Sequence, residues 1–582
     1  MIAPRLPAAL LAAALSALAA PAGPSAAPAK PSAAPAAKGA PPDVIFTGGR
    51  IVTLDPKDRV VQAVAVRDGR FVAVGTDADV RRLAGPSTRI VDLGGRTAVP
   101  GLIDAHCHPQ VTAFFLQAVD ARAPGVPSVA KAMENLAARA RTVKPGEWIS
   151  VIGASASQTK FAERRLPTRA EMDAAAPDNP VWFWNGTHGE VLNSRGLAAL
   201  GVSKANPRLP RGGQVLLDAS GEPTGVLFEA EANVPFNPST AVREEWFKKD
   251  IPALWNARGF TSLNGILAVD EVAALGRVAA SGFRPSLRYT AFAFAEPNGV
   301  GLPADPTTLA MPPGAPRDLF RLVGLKVWID GEVDAGSGWC SAPYADPEGV
   351  PGGGRGLLVT TQEQATAVAT AARRAGLGMA IHASCDASTA IALRAFQDAA
   401  RAVKGPPTLQ RLEHWGQFVG PTPREVAAVK RMGIHLVTQP AWLLFLERST
   451  VHLLGPERAA TSFRFGTMVK EGLRPAGSTD TTGVYLDAID PFVHMKAAVT
   501  RVSDAGVVQP GEAVSVKDAL RMYTLWAARS VQEERNRGSI EVGKLADMTV
   551  LSEDILAIDP MRIDQVKPVS TIVGGEVAWA AP

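Results

Sequence analysis

Cysteine is nearly absent from this chain, with three residues in 582, Cys107, Cys340 and Cys385, scattered and odd in number. That pattern excludes a disulfide framework, although an exported protein can close one bond, and the expectation is free, buried thiols. Histidine is scarce as well, at eight residues. No Lys/Arg block or basic-aromatic stripe occurs, and the formal net charge is only +4, so nothing argues for nucleic acid. The apolar run from Leu6 to Ala20 is too short to favour a membrane span, and no cysteine follows it to carry a lipid.

What is present points elsewhere. The chain is 46% hydrophobic and 20% charged, ordinary for a globular protein with a large core. Arg5 precedes the apolar run, and Ala17 and Ala19 suit cleavage, so residues 1–20 read as a signal peptide. Residues 21–42 are almost entirely Ala, Pro, Gly, Ser and Lys and read as a disordered linker. Export to the periplasm or beyond is expected, with no stable membrane anchor.

Short strand-like runs occupy residues 43–98, punctuated by Gly48-Gly49, Asp68-Gly69 and Gly94-Gly95. Residues 537–582 repeat the style, with Gly574-Gly575 between the last two runs. Two β-rich ends around a long middle suggest one small β-sandwich domain assembled from both termini. In the middle, eight strand-like segments alternate with helical stretches: Gly101–His106, Phe260–Asn264, Leu287–Phe292, Leu325–Ile329, Gly378–His382, Gln410–His414, Ile434–Gln439 and Arg474–Asp480. Eight is the number for a parallel (β/α)₈ TIM-type barrel, here over residues 99–536. The first two segments lie too far apart for one crossover, so an insertion of about residues 110–255 belongs after strand 1.

Chemistry collects at one end of these strands. His106 and His108, one residue apart, leave a strand on the same face, and two adjacent imidazoles can chelate a transition metal. Lys326 lies in the fourth segment, His382 ends the fifth, His414 ends the sixth and Asp480 ends the eighth. Active sites of this architecture sit at the C-terminal face of the barrel. His435, His452 and His494 read as structural or surface residues. Trp182, Trp184, Trp339, Trp415 and Trp442 either line an apolar pocket or belong to the core.

These residues carry a resemblance. Pro100–His108, Leu166–Arg169, Gly221–Gly225 with Glu229, Gly324–Lys326, His382-Ala383, Arg411–His414, Gln439-Pro440, Gly477–Asp480 and Gly538–Asp547 occur in an order similar to the amidohydrolase superfamily. The branch is that of the large metal-dependent amidohydrolases related to N-substituted formamide deformylase. The resemblance implies a two-metal site. His106 and His108 would hold the first ion with Asp480 beside it, and His382 and His414 the second. Lys326, carboxylated on its amine, would bridge them as an anionic oxygen ligand. The alternative for Lys326 is a plain lysine paired with Asp330 or with a substrate carboxylate. His188 matches a position facing the site, where it would stabilise an oxyanion or bind substrate; a structural role is the other reading.

The expected function is hydrolysis of a carbon–nitrogen, amide-like non-peptide bond of a small molecule by metal-activated hydroxide, with Asp480 as general base and acid. An esterase or lactonase on the same site is the closest alternative, and a periplasmic binding protein on an inactive amidohydrolase fold is a more distant one. Two zinc ions are expected, with manganese, iron, cobalt or nickel compatible. The expected partner is a small-molecule substrate, with self-association left open. Departures from the family pattern fall at Asn264, where Asp is usual, and at Glu332, where Ser is usual.

Overall fold

The structure is a computed structural model describing residues 40–153, 157–185, 189–210, 213–230, 233, 238–294, 305–347, 350–481, 487–503 and 506–582. His188 and residues 1–39 lie outside the described residues.

Two sheets are built from the chain ends. A four-stranded sheet orders Arg70–Gly75, Ala63–Arg67, Val44–Thr47 and Arg89–Asp92, and a six-stranded sheet runs from Glu576–Ala580 to Val60–Val61. Asp68 (φ 51°) and Gly69 (φ 72°) take the two left-handed positions that match a tight hairpin turn to strand twist. In the six-stranded sheet Met548–Leu551 pairs antiparallel with Thr97–Pro100, so the two ends of the chain are stitched by backbone hydrogen bonds. Val44, Phe46, Val64 and Phe71 of one sheet share a cluster with Ile51, Ala98, Met548 and Ile572 of the other.

The strand ending at Pro100 leads directly into the barrel. Its strands are β1 (Leu102–Cys107), β2 (Phe260–Leu267), β3 (Arg288–Phe294), β4 (Phe320–Trp328), β5 (Gly378–His382), β6 (Gln410–Glu413), β7 (His435–Thr438) and β8 (Ala476–Gly477). Each pairs in parallel with the next. Between β8 and β1 the gap is spanned by Asp480 N–H donating to His106 O at 2.8 Å and His108 N–H donating to Thr481 O at 3.1 Å. These two bonds sit where the candidate ligands are. Side chains alternate as strand geometry requires: Leu325, Val327 and Ile329 join the large cluster beneath the helices, which turns Lys326 inward. Capping boxes at Thr361–Gln364 and Thr422–Glu425 start two of the outer helices.

Between β1 and β2 the chain forms a separate six-stranded mixed sheet, spanning Val119–Ala121 to Pro223–Phe228 and carrying hydrophobic clusters of its own.

One expectation is overturned. Cys340 and Cys385 are disulfide-bonded, and only Cys107 is a free, buried thiol. The two partners are 45 residues apart, and spacing alone does not show that the segment after β4 returns beside the end of β5. Once β4 and β5 pair, with Trp328 opposite His382, that return is geometric.

Candidate metal centre

Donor atoms from four strand ends converge at the C-terminal mouth of the barrel. His106 and His108, at the end of β1, each place Nε2 3.3 Å from Asp480 Oδ1. His414, just past β6, places Nε2 3.7 Å from Asp480 Oδ2. The Asp480 carboxylate therefore faces three imidazoles at once. His382, ending β5, lies with its ring centroid 4.4 Å from that of His414. Ligand-capable atoms form two groups that overlap at His414: His106, His414 and Asp480, and His382, His414 and Glu332.

The backbone at two of these residues is unusual. His414 (φ 66°) and Asp480 (φ 48°) occupy the left-handed region that non-glycine residues rarely adopt. Such conformations persist where surrounding structure fixes them and concentrate at functional sites. At Asp480 the fixing contacts are its own bond to His106 O and the neighbouring Thr479, whose N–H and hydroxyl donate to Asp104 at 2.9 and 2.6 Å.

Ring orientation is set from behind. His106 Nδ1–H donates to Glu413 Oε2 at 2.7 Å, and Arg411 Nε donates to the other oxygen at 2.6 Å. His414 Nδ1–H donates to Gln439 Oε1 at 2.9 Å, and the Gln439 amide in turn donates to Ser478 Oγ. Both Nε2 atoms are left as acceptors facing the site. Sequence reading did not assign roles to Glu413, Gln439 or Asp104. The signal available was polar residues on inward-facing positions of otherwise apolar strands, as in Arg411 and Glu413.

Electrostatics follow from burial and proximity. Burial alone would raise the Asp480 carboxyl, but facing His106, His108 and His414 holds it well below the usual carboxylate range. Burial pushes His414 down to about 3, which keeps its ring neutral. Lys326 is 3% exposed, and burial lowers its amine to about 8 against the pull of Glu413 and Asp480. Among the described residues Lys326 forms no ion pair, and the pairing with Asp330 is not present. Asp330 instead accepts from Trp339 N–H at 2.8 Å and from Ser384 N–H and Oγ at 3.1 Å each.

The remaining residues sort by surroundings. Trp442 stacks on the His414 ring, with centroids 5.4 Å apart and planes 6° from parallel, and so forms one wall of the site. Trp182 and Trp184 pack with Phe115 in the inserted region, and Trp415 sits in the barrel core. Asn264 is fully buried in β2, with neither side-chain atom bonded among the described residues. His452 pairs with Asp346 at the surface.

His494 is buried, donating from Nε2 to Ala488 O at 2.7 Å and accepting Ala441 N–H at Nδ1. This bonding needs a neutral ring, and burial holds its pKa to about 4. As pH falls through ~6.5, the unfolded chain binds a proton there that the folded chain refuses, so stability drops on acidification. His494 alone is expected to contribute about 2 kcal/mol of loss between pH 7.5 and 5. Urea midpoints across that range check this, with His494→Gln showing a shallower slope.

The sequence pattern of the amidohydrolase family matches residues 89–578. N-substituted formamide deformylase of Arthrobacter pascens is 29% identical over 558 residues, covering 92% of this chain and 98% of that protein. A metal-dependent hydrolase from Pyrococcus horikoshii superposes with a TM-score of 0.67 at 23% identity, covering 89% of this chain and 99% of that one. An atrazine chlorohydrolase from Arthrobacter aurescens, solved with zinc, shares the fold at a TM-score of 0.50 and 14% identity, covering 92% and 94%. With the family pattern running through the whole barrel and most of the C-terminal β-rich end, the chain belongs to the amidohydrolase family and is a hydrolase of that family.

Proposed function

We propose that this amidohydrolase is metal-dependent and cleaves an amide-like, non-peptide carbon–nitrogen bond of a small molecule, with Asp480 moving the proton. The observation that carries the reading is the convergence of three imidazole nitrogens on one carboxylate, at 3.3, 3.3 and 3.7 Å. The similarity to N-substituted formamide deformylase over nearly the whole of both chains supports the bond type.

The residues fit a divalent cation. Imidazole and carboxylate donors suit zinc first, and manganese, iron, cobalt or nickel as well. His106 and His414 carry the Nδ1–H tautomer that leaves Nε2 for a metal, because Glu413 and Gln439 hold the other side of each ring. His106, His108 and Asp480 would hold one ion and His382 and His414 another, with Lys326 in its carboxylated form between them. Lys326 supports that form: it is buried with no ion pair among the described residues, and its lowered pKa enlarges the neutral amine fraction that adds carbon dioxide.

A divalent ion bound here supplies Lewis acidity, lowering the pKa of a water toward ~7 and polarising the scissile carbonyl. The chain's own groups do the rest. Asp480, ionised at neutral pH, takes the proton of the attacking water and delivers it to the leaving nitrogen. Trp442 and the ring of His414 give the mouth an apolar edge against which an acyl group packs. His188 is kept as a candidate for binding the developing oxyanion.

The expected result is release of amine from a panel of N-formyl and N-acyl small molecules. Most of the rate should be lost on dialysis against a chelator and recovered with zinc. Turnover that survives complete chelation contradicts the reading.

The same reading extends to organisation and place. We take the two end-built sheets as one β-sandwich, residues 1–20 as a signal peptide and the chain as exported. The bonded Cys340 and Cys385 support an oxidising compartment. Among the described residues no helix is long and apolar enough to cross a membrane.

A further inference from the structure

We propose that Glu332 is a ligand of the second cation position, completing a three-donor set with His382 and His414. The inference rests on the metal reading above and adds a carboxylate that the resemblance does not supply. Glu332 stands two residues past Asp330, on the segment that follows β4, and is buried, with its side chain 7% exposed. Its Oε1 lies 3.9 Å from His382 Nε2, and the ligand atoms of Glu332, His382 and His414 all lie within 4.8 Å of one another. Tetrahedral donors at 2.0–2.2 Å from one zinc stand about 3.3–3.6 Å apart, so the Glu332–His382 pair at 3.9 Å is within about half an ångström of that spacing and the longest separation in the group has to close by at most about 1.5 Å.

The backbone that carries the carboxylate is held in place. Glu332 N–H donates to Ser337 Oγ at 3.0 Å, and Glu332 O accepts from Ser337 N–H at 2.9 Å and Gly338 N–H at 3.0 Å. The segment is then tied to the strand that carries His382. Asp330 takes Ser384 N–H and Oγ, and Cys340 is bonded to Cys385. Gly331 has no room for a side chain: a Cβ there would lie 2.0 Å from Ser337 Oγ and 2.1 Å from Glu229 Oε1. Glu332 and His382 therefore sit on segments fastened to each other, the support that two ligands of one ion require.

The chemical consequence is a fixed negative charge at the second position, independent of the state of the Lys326 amine. Two neutral imidazoles alone bind a divalent ion weakly, and a carboxylate oxygen at zinc-ligand distance offsets part of its charge.

The test uses the full chain, zinc at defined free concentration and elemental analysis, comparing wild type with Glu332→Gln. About two ions per chain in wild type and about one in the variant, with the weaker dissociation constant raised at least ~10-fold, is the expected result. Cobalt substitution gives a readout apart from activity, since the variant should change the visible absorption of the second ion only. Equal stoichiometry and equal dissociation constants overturn the proposal while leaving the metal reading intact; a wild-type chain that holds no ion overturns both, and one that holds a single ion overturns this one. If the variant does not fold, a crystal structure of the zinc-loaded wild type decides: Glu332 Oε1 at about 2.0–2.2 Å from an ion supports the assignment, and a distance beyond about 3 Å overturns it.

Discussion

Asp480→Asn is expected to lower kcat by about 10³-fold or more while leaving the fold intact, since general acid–base groups contribute ~10²–10⁴ and the group proposed for that role also faces the candidate metal ligands. Asparagine keeps the shape of the side chain. It cannot carry the negative charge that faces His106, His108 and His414, and it cannot accept a proton from water. The backbone at Asp480 is left-handed and bonded to His106 O, so the substitution changes chemistry without rebuilding the turn. Steady-state rates on an N-acyl substrate, with metal content measured on the same samples, check this. A variant that keeps its metal and more than a tenth of the wild-type rate would remove Asp480 from the proton-transfer role.

The second large effect is expected one layer below the ligands. Arg411 and Glu413 are both fully buried and joined at 2.6 Å, and the guanidinium lies 4.3 Å above the Phe292 ring. Burial alone would raise the Glu413 carboxyl, but Arg411 and His106 hold it well below its usual range. Glu413→Gln leaves Arg411 as an uncompensated charge in the barrel interior, at a cost of about 3–5 kcal/mol. Its Nη1 and Nη2 already have no hydrogen-bond partner among the described residues, so no neighbour takes over. The same change weakens the grip on the His106 ring and should raise the zinc dissociation constant about 10–100-fold. Pairing it with Arg411→Met separates the two effects: stability should largely return, whereas zinc affinity should not. Urea midpoints and competitive zinc titrations measure them independently. A loss below about 1 kcal/mol in the single variant would mean the interior charge is solvated in some other way.

Much of this was legible in the chain itself, for physical reasons. Each of the eight segments read as strands contains or overlaps a barrel strand, because parallel strands covered on the outer face must be continuously apolar there. The polar exceptions, His106, Lys326, His382 and His414, then stand out at inward positions near strand ends. What was not legible depended on distances across the barrel. Glu413 reads as one more charged residue until the fold sets it against His106, and Glu332 looks like a departure from a motif until its segment returns beside β5. The disulfide is the plainest case. Cys340 and Cys385 belong to different strand–helix units, and only the pairing of β4 with β5 makes them neighbours. The alternative reading of Lys326, a plain lysine paired with Asp330, finds no such pair among the described residues for the complementary reason. Four residues apart in sequence, they are separated by strand geometry, and Asp330 is spent on Trp339 and Ser384.

Elemental analysis of the chain purified without chelator, beside Lys326→Ala, tests the central claim most directly. The account predicts about two divalent ions per wild-type chain, zinc foremost, and a sharp fall in the variant. No bound metal in either protein would contradict it, and the convergence of His106, His108, His414 and Asp480 would then need an explanation other than hydrolysis.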